Sequence, residues 1–203
     1  MSQLIHRLCQ YGRCALNCTL QKPKEVGFFA FLMLFIFMAI YKSTPAMVNK
    51  TLELKIYKNR TPISNIFQER DIINTKSLWV DRLMLKDGAR IVHPKLGVIG
   101  FGDSFFIDVE SSFNVKKAGI YYFIPGSDDG FSLDVDGARL CAFERDRPYS
   151  TQRCRIELSE GIHNFKMSYF QGGGHAGLTL AYQFDGDSKQ RWVGDNSQYL
   201  RFD

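Results

Sequence analysis

The sequence predicts an all-β chain, an antiparallel β-sandwich or barrel, preceded by one N-terminal transmembrane helix. Three observations carry that expectation. Apolar and polar residues alternate with period two again and again between residues 104 and 184, with Gly- and Asp-rich turns between the runs. One uncharged stretch, Val26–Tyr41, stands apart near the N-terminus. Aromatic residues reach 14%, with 17 Phe and 9 Tyr, a bias that favours strands.

In chain order, residues 1–25 form an N-terminal segment in which Cys9, Cys14 and Cys18 fall on more than one face of a helical reading. That scatter argues against a zinc site, and an amphipathic cytoplasmic segment is the expectation. Val26–Tyr41 reads VGFFAFLMLFIFMAIY. At about 1.5 Å per residue it spans about 24 Å, short of the roughly 30 Å hydrocarbon core. Lys24 and Lys42 can reach the two interfaces, so a transmembrane helix at 26–41 is expected, with cleavage after Ala46 as the alternative. Basic residues are balanced on the two sides of this run and leave its direction open. Residues 42–73 show no clean period and are expected to form a stalk, leaving 74–203 as the folded domain.

Strand candidates then follow at regular spacing: 78–85, 104–110, 120–124, 131–135, 154–158, 163–169 and 178–184. Asp136-Gly137 fits a two-residue hairpin turn, since both residue types tolerate positive φ. The segment between Cys141 and Cys154 has its midpoint at Arg147-Pro148, and a hairpin folded there would bring the two cysteines together as a disulfide. His163 alternates with Phe165 and Met167 and is expected on a sheet face with a satisfied partner, whereas His93, before Pro94, has no partner visible in the sequence.

The net charge of +5 is concentrated early, with Arg7, Arg13, Lys22 and Lys24 against Glu25. The remainder is nearly balanced and lacks the basic stripe that nucleic acid requires, so no nucleic-acid partner is expected. No G-x-S-x-G, H-E-x-x-H or P-loop occurs, and the expectation is a non-enzyme. Gly172, Gly174 and Gly177 satisfy G-x-G-x-x-G, but a period-two strand follows where a dinucleotide site needs a helix, so the glycines read as a tight strand connection.

Several phrases together carry a family resemblance. Gly119 to Phe123, Ser127 to Gly130, Asp136-Gly137, Gly161 to His163 and Tyr169 to Gly174 occur in the order found in the PA-fourteen domain family, which the chain resembles over about residues 105–184. The resemblance implies a β-sandwich and an extracytoplasmic setting, which places the N-terminus in the cytoplasm and the domain periplasmic, extracellular or lumenal. In the family's yeast-adhesin branch the pair matching Asp128 and Asp129 is joined by a cis peptide and binds Ca²⁺, which holds sugar hydroxyls. The resemblance thus implies calcium at Asp128 and Asp129. The glycine loop, read from its own residues, is expected to border a ligand groove with Gln171 and His175 as polar contacts. Read by themselves, the two aspartates with Gly130 leave open a plain structural turn, and residues 171–177 offer no further Asn or Asp. The expected function is a membrane-anchored, outward-facing module that binds glycan. Alternatives are a structural subunit that packs against an envelope protein, or an accessory subunit of a polysaccharide-processing enzyme.

Overall fold

A computed structural model describes residues 23–43, 48–86 and 90–202, in two units divided between Ala46 and Met47. The first unit holds α1 (Pro23–Ser43), whose side chains from Gly27 to Tyr41 are exposed throughout. Among the described residues no helix is long and apolar enough to cross a membrane. The expectation of a transmembrane helix at 26–41 is corrected accordingly: the run is helical, but its uncharged length of about 24 Å falls short of a hydrocarbon core. Residues 1–22, with Cys9, Cys14 and Cys18, lie outside the described residues, as does the cleavage alternative at 44–46.

The second unit is a β-sandwich. In chain order its strands are β1 (Leu52–Asn59), β2 (Ile72–Val80), β3 (Met84–Leu85), β4 (Val92–His93), β5 (Gly97–Val98), β6 (Phe105–Val115), β7 (Gly119–Asp128) and β8 (Phe131–Val135). There follow β9 (Ala138–Phe143), β10 (Ser150–Thr151), β11 (Cys154–Leu158), β12 (Gly161–Gln171), β13 (Gly177–Phe184), β14 (Arg191–Trp192) and β15 (Leu200–Arg201). A seven-stranded sheet runs β2-β1-β6-β12-β8-β9, with β15 also on β6. A six-stranded sheet runs β10-β7-β13-β14, with β11 also on β7 and β3 on β13. Every pairing is antiparallel.

Alternation decides which side chains meet between the sheets. Ile107, Val109, Leu133, Phe165 and Met167 from the larger sheet join Tyr121, Phe123, Leu178, Leu180 and Tyr182 from the smaller in one buried core. Between β8 and β9, Asp136 and Gly137 adopt φ of 50° and 79°, the two-residue hairpin expected. Asp136 also receives the Asn164 N–H at 2.9 Å and pairs with His163 Nδ1 at 2.6 Å, so His163 does have its partner. Burial pushes the Asp136 carboxyl up, but these two bonds outweigh it and hold the group below the usual range.

Three expectations change. The stalk at 42–73 contains β1, a strand interior to the larger sheet, whose Leu52, Leu54 and Ile56 are fully buried, and the start of β2. The 78–85 strand breaks at Asp81, because the chain leaves the larger sheet after Val80 and joins the smaller one at Met84. Cys141 and Cys154 are disulfide-bonded with Cα atoms 6.2 Å apart, but they do not face each other in a hairpin. Cys141 lies on β9 of the larger sheet and Cys154 on β11 of the smaller, so the bond fastens one sheet to the other.

Strand register gives the sandwich two distinct ends. Val80, Gly119, Val115 and Phe184 lie at the proximal end, where the chain comes in at Val48. Asn59, Phe105, Asp128, Gln171 and Gly177 lie at the distal end. A strand as long as β7 separates them by about 30 Å.

Candidate functional site

Asp128 ends β7 and Asp129 follows it at the point where the chain crosses from the smaller sheet to the larger. The bond between them is cis, the geometry that the resemblance implies. Gly130 completes the crossing because nothing larger fits: a Cβ there would lie 2.5 Å from the Phe170 ring and 2.6 Å from the Phe143 carbonyl.

Three separate segments converge on the pair. From the loop between β9 and β10, the Tyr149 N–H donates to Asp128 Oδ2 at 3.0 Å. From the loop between β12 and β13, the Gly172 N–H donates to Asp129 Oδ2 at 2.8 Å. Residue 172 must be glycine for that approach, since a Cβ would meet the Ile63 carbonyl at 2.5 Å. Ile63 belongs to the third segment, between β1 and β2, which packs with Ile66 on Phe106 and Phe170. Behind the turn, Ser127 Oγ donates to the Asp129 carbonyl at 2.6 Å and receives Arg147 Nη2 at 2.9 Å. The Arg147 guanidinium is stacked 4.2 Å from the Phe143 ring centroid.

The electrostatics are unusual for paired aspartates. Asp129 is only 6% exposed, and among the described residues neither carboxylate has a Lys, Arg or His nitrogen within ion-pair distance. Burial drives the Asp129 carboxyl up to about 6, the Gly172 N–H opposes this, and the charges of Asp146 and Asp128 add to it. Asp128 is also raised, chiefly by burial, against the Tyr149 N–H and the positive groups of His175, Lys86 and Arg147.

This donor set fits a hard cation. Two adjacent carboxylates supply oxygen ligands, and a buried negative charge without a counter-charge is what a divalent ion would neutralise. Among the described residues no group of three or more His, Cys, Asp or Glu side chains converges as a metal cage, so loop carbonyls and water would have to complete the shell.

Of the residues singled out in the sequence, Asp128 and Asp129 lie together and His175 is exposed on the neighbouring loop. Gln171 is different. It is fully buried, its Oε1 meets the Tyr169 hydroxyl, and its Nε2 donates to the carbonyls of Gly173 and His175 at 2.8 Å each. The expectation of a ligand contact at Gln171 is corrected: the side chain braces the loop from inside. The loop is followed by β13, a strand, in agreement with the reading of its glycines. Asp146, Arg147 and Lys86 were not singled out, although the charged run Glu144-Arg145-Asp146-Arg147 between two strands was a visible signal.

Two grooves lie elsewhere, one of about 660 Å³ on the outer face of the larger sheet and one of about 680 Å³ at the proximal end. Most of their charges are paired internally. Lys166 pairs with Glu110 and Arg139 with Asp134 at the first, Arg82 with Asp195 and Arg191 with Asp187 at the second. The distal cluster, where Asp129 is buried without an ion pair among the described residues, is therefore the stronger candidate.

The architecture is a PA14-like β-sandwich, the class that the sequence motifs resemble. The solved structures similar to it include the PA14 domain of MpAFP antifreeze protein, at 16% identity and a TM-score of 0.58, covering 74% of this chain and 90% of that one. A PA14 sugar-binding domain from an RTX adhesin matches at 15% identity and TM-score 0.55, over 70% of this chain and 93% of its own. The A domain of epithelial adhesin 9 from Candida glabrata, solved in complex with Galβ1-4GlcNAc, matches at 10% identity and TM-score 0.52, over 79% and 93%. At these identities the likeness is one of fold. By sequence, no family model and no curated protein matches the chain.

Proposed function

We propose that the domain is a non-catalytic glycan-recognition module whose distal end holds a Ca²⁺ on Asp128 and Asp129. The observation that carries this reading is the buried, cation-free carboxylate of Asp129 beside Asp128 at the tip of the sandwich. Asp128 and Asp129 would supply carboxylate oxygens, the 172–176 loop would border the ion, and Gln171 would hold that loop in place. A bound calcium ion supplies coordination positions for vicinal sugar hydroxyls. The sugar-binding domains among the similar folds support the same reading.

We further propose that α1 holds the protein at a membrane, with the domain on the periplasmic, extracellular or lumenal side. An exposed helix that is apolar all round needs a lipid or protein covering. A packing role in an envelope assembly is the second reading, favoured by β2, an edge strand with Ile72, Ile73 and Trp79 exposed.

The test is a glycan array probed with the full-length protein in calcium and in EGTA, alongside the Asp128→Asn/Asp129→Asn variant. Calcium-dependent binding lost in the variant is expected. Sugar binding indifferent to both calcium and the variant would reject the site, and no sugar binding would favour the packing role.

A further inference from the structure

Beside the carboxylate pair, one cation occupies a fixed position that the calcium reading leaves unused. Lys86 directly follows β3, whose Leu85 pairs with Leu178 of β13, and the adjacent Gly177 pairs with Asp128. Residue 177 has no side chain, and a Cβ there would meet the Tyr149 ring at 3.0 Å and Lys86 Cγ at 3.2 Å. The lysine stem and the tyrosine ring thus fill the space against the Gly177 backbone. Tyr149 is fixed at both ends, by its N–H on Asp128 Oδ2 and by its hydroxyl on Thr179 Oγ1 at 2.8 Å. Lys86 Nζ lies 3.1 Å from the centroid of that ring. Lys86 is exposed, and among the described residues it makes no ion pair.

An ammonium on an aromatic face keeps most of its charge available to a third group. While the aspartates are bare, Lys86 offsets part of the Asp128 charge. A divalent ion on the pair cancels that role, and Lys86 is then surplus positive charge beside a filled cation site, where it opposes the metal. An anionic group on the incoming sugar removes the conflict, because it can reach the ammonium while sugar hydroxyls face the ion.

We infer that the glycan bound at the distal site carries an anionic group, a carboxylate or a sulfate, which pairs with Lys86 Nζ as the sugar occupies the Asp128–Asp129 site. The inference rests on the calcium-dependent glycan reading above, and it adds a charge class and a specificity residue to it. A charge-assisted hydrogen bond to an exposed ammonium gives a preference for acidic over neutral sugar on the order of tenfold.

The experiment is calorimetric titration of the full-length protein in calcium buffer with three probes: a galacturonate trisaccharide, a 6-sulfated galactose trisaccharide and neutral galactotriose. The expected result is binding of at least one acidic probe about tenfold tighter than the neutral one, a gap that narrows with added salt. Which acidic probe wins separates carboxylate from sulfate recognition. In Lys86→Gln the preference should disappear while the calcium isotherm persists. Equal affinity for all three probes, or a preference that survives Lys86→Gln, overturns the inference and leaves the calcium–glycan reading standing. Absence of both calcium and sugar binding overturns the two together.

Discussion

Asp81 at the proximal end and Asp129 at the distal end are both shielded carboxylates, and their surroundings treat them in opposite ways. Asp81 Oδ1 meets His93 Nε2 at 2.8 Å, with Arg82 and Lys95 nitrogens at 3.8 and 3.9 Å from Oδ2. The Lys95 N–H donates to His93 Nδ1 at 3.2 Å, which places the single ring proton on Nε2, facing Asp81. Burial pushes the Asp81 carboxyl up, but the hydrogen bond from His93 and the charge of Arg82 bring it below its ordinary value. Asp129 has hydrogen bonds but no cation, and burial together with its acidic neighbours takes it up to about 6. A completed ion network serves the fold, whereas an acid left without its counter-charge is expected to serve a ligand.

The largest effect should come from the link between the sheets. Cys141→Ser with Cys154→Ser opens a bond spanning a sequence separation of 13. In the chain-entropy model the loss is about 3 kcal/mol, read as a lower urea midpoint, and it should be the same with and without calcium. Next in size, Asp81→Asn leaves buried His93 without its charged partner and should cost about 2 kcal/mol. Asp129→Asn keeps an oxygen to accept the Gly172 N–H and removes an uncompensated charge, so in EGTA it should cost less than about 1 kcal/mol or stabilise. If the two asparagine variants lost equal stability, the contrast between the ends would collapse. A smaller effect concerns pH. Because the folded-state pKa of Asp81 is depressed, its contribution is present above the ordinary carboxylate range near 4 and is lost as pH falls through its lowered value. Acid titration of stability should therefore be shallower in Asp81→Asn than in wild type over that window.

The same two ends differ in how far the sequence announced them. From residue 105 to 184 the inward faces of β6, β8, β12 and β13 were visible, since each alternates cleanly between turns rich in Gly and Asp. β1 was hidden because Leu52, Leu54 and Ile56 alternate inside a window dominated by Asn, Lys and Thr. The pairing of Cys141 with Cys154 was readable, but which sheet each strand would join is a long-range choice that local spacing does not encode. His93 found Asp81 twelve positions earlier, across a change of sheet. At the distal site, Asp128 and Asp129 stood out as adjacent acids. The residues around them come from segments near 63, 86, 147 and 172, far apart in the chain, and only folding brings them together. Gln171 looked like a ligand contact because it precedes a glycine loop, and only its burial shows it to be a brace.

The central claim, that the distal acids await a cation, is tested most directly by thermal unfolding of the full-length protein across a calcium titration. A ligand that binds only the folded state stabilises it by RT ln(1 + [L]/Kd), about 2.7 kcal/mol at a hundredfold excess over Kd. Wild type should melt progressively higher as calcium rises, and Asp128→Asn/Asp129→Asn should melt at one temperature throughout. A wild-type melting temperature that ignores calcium, or a variant that still responds to it, would contradict the account.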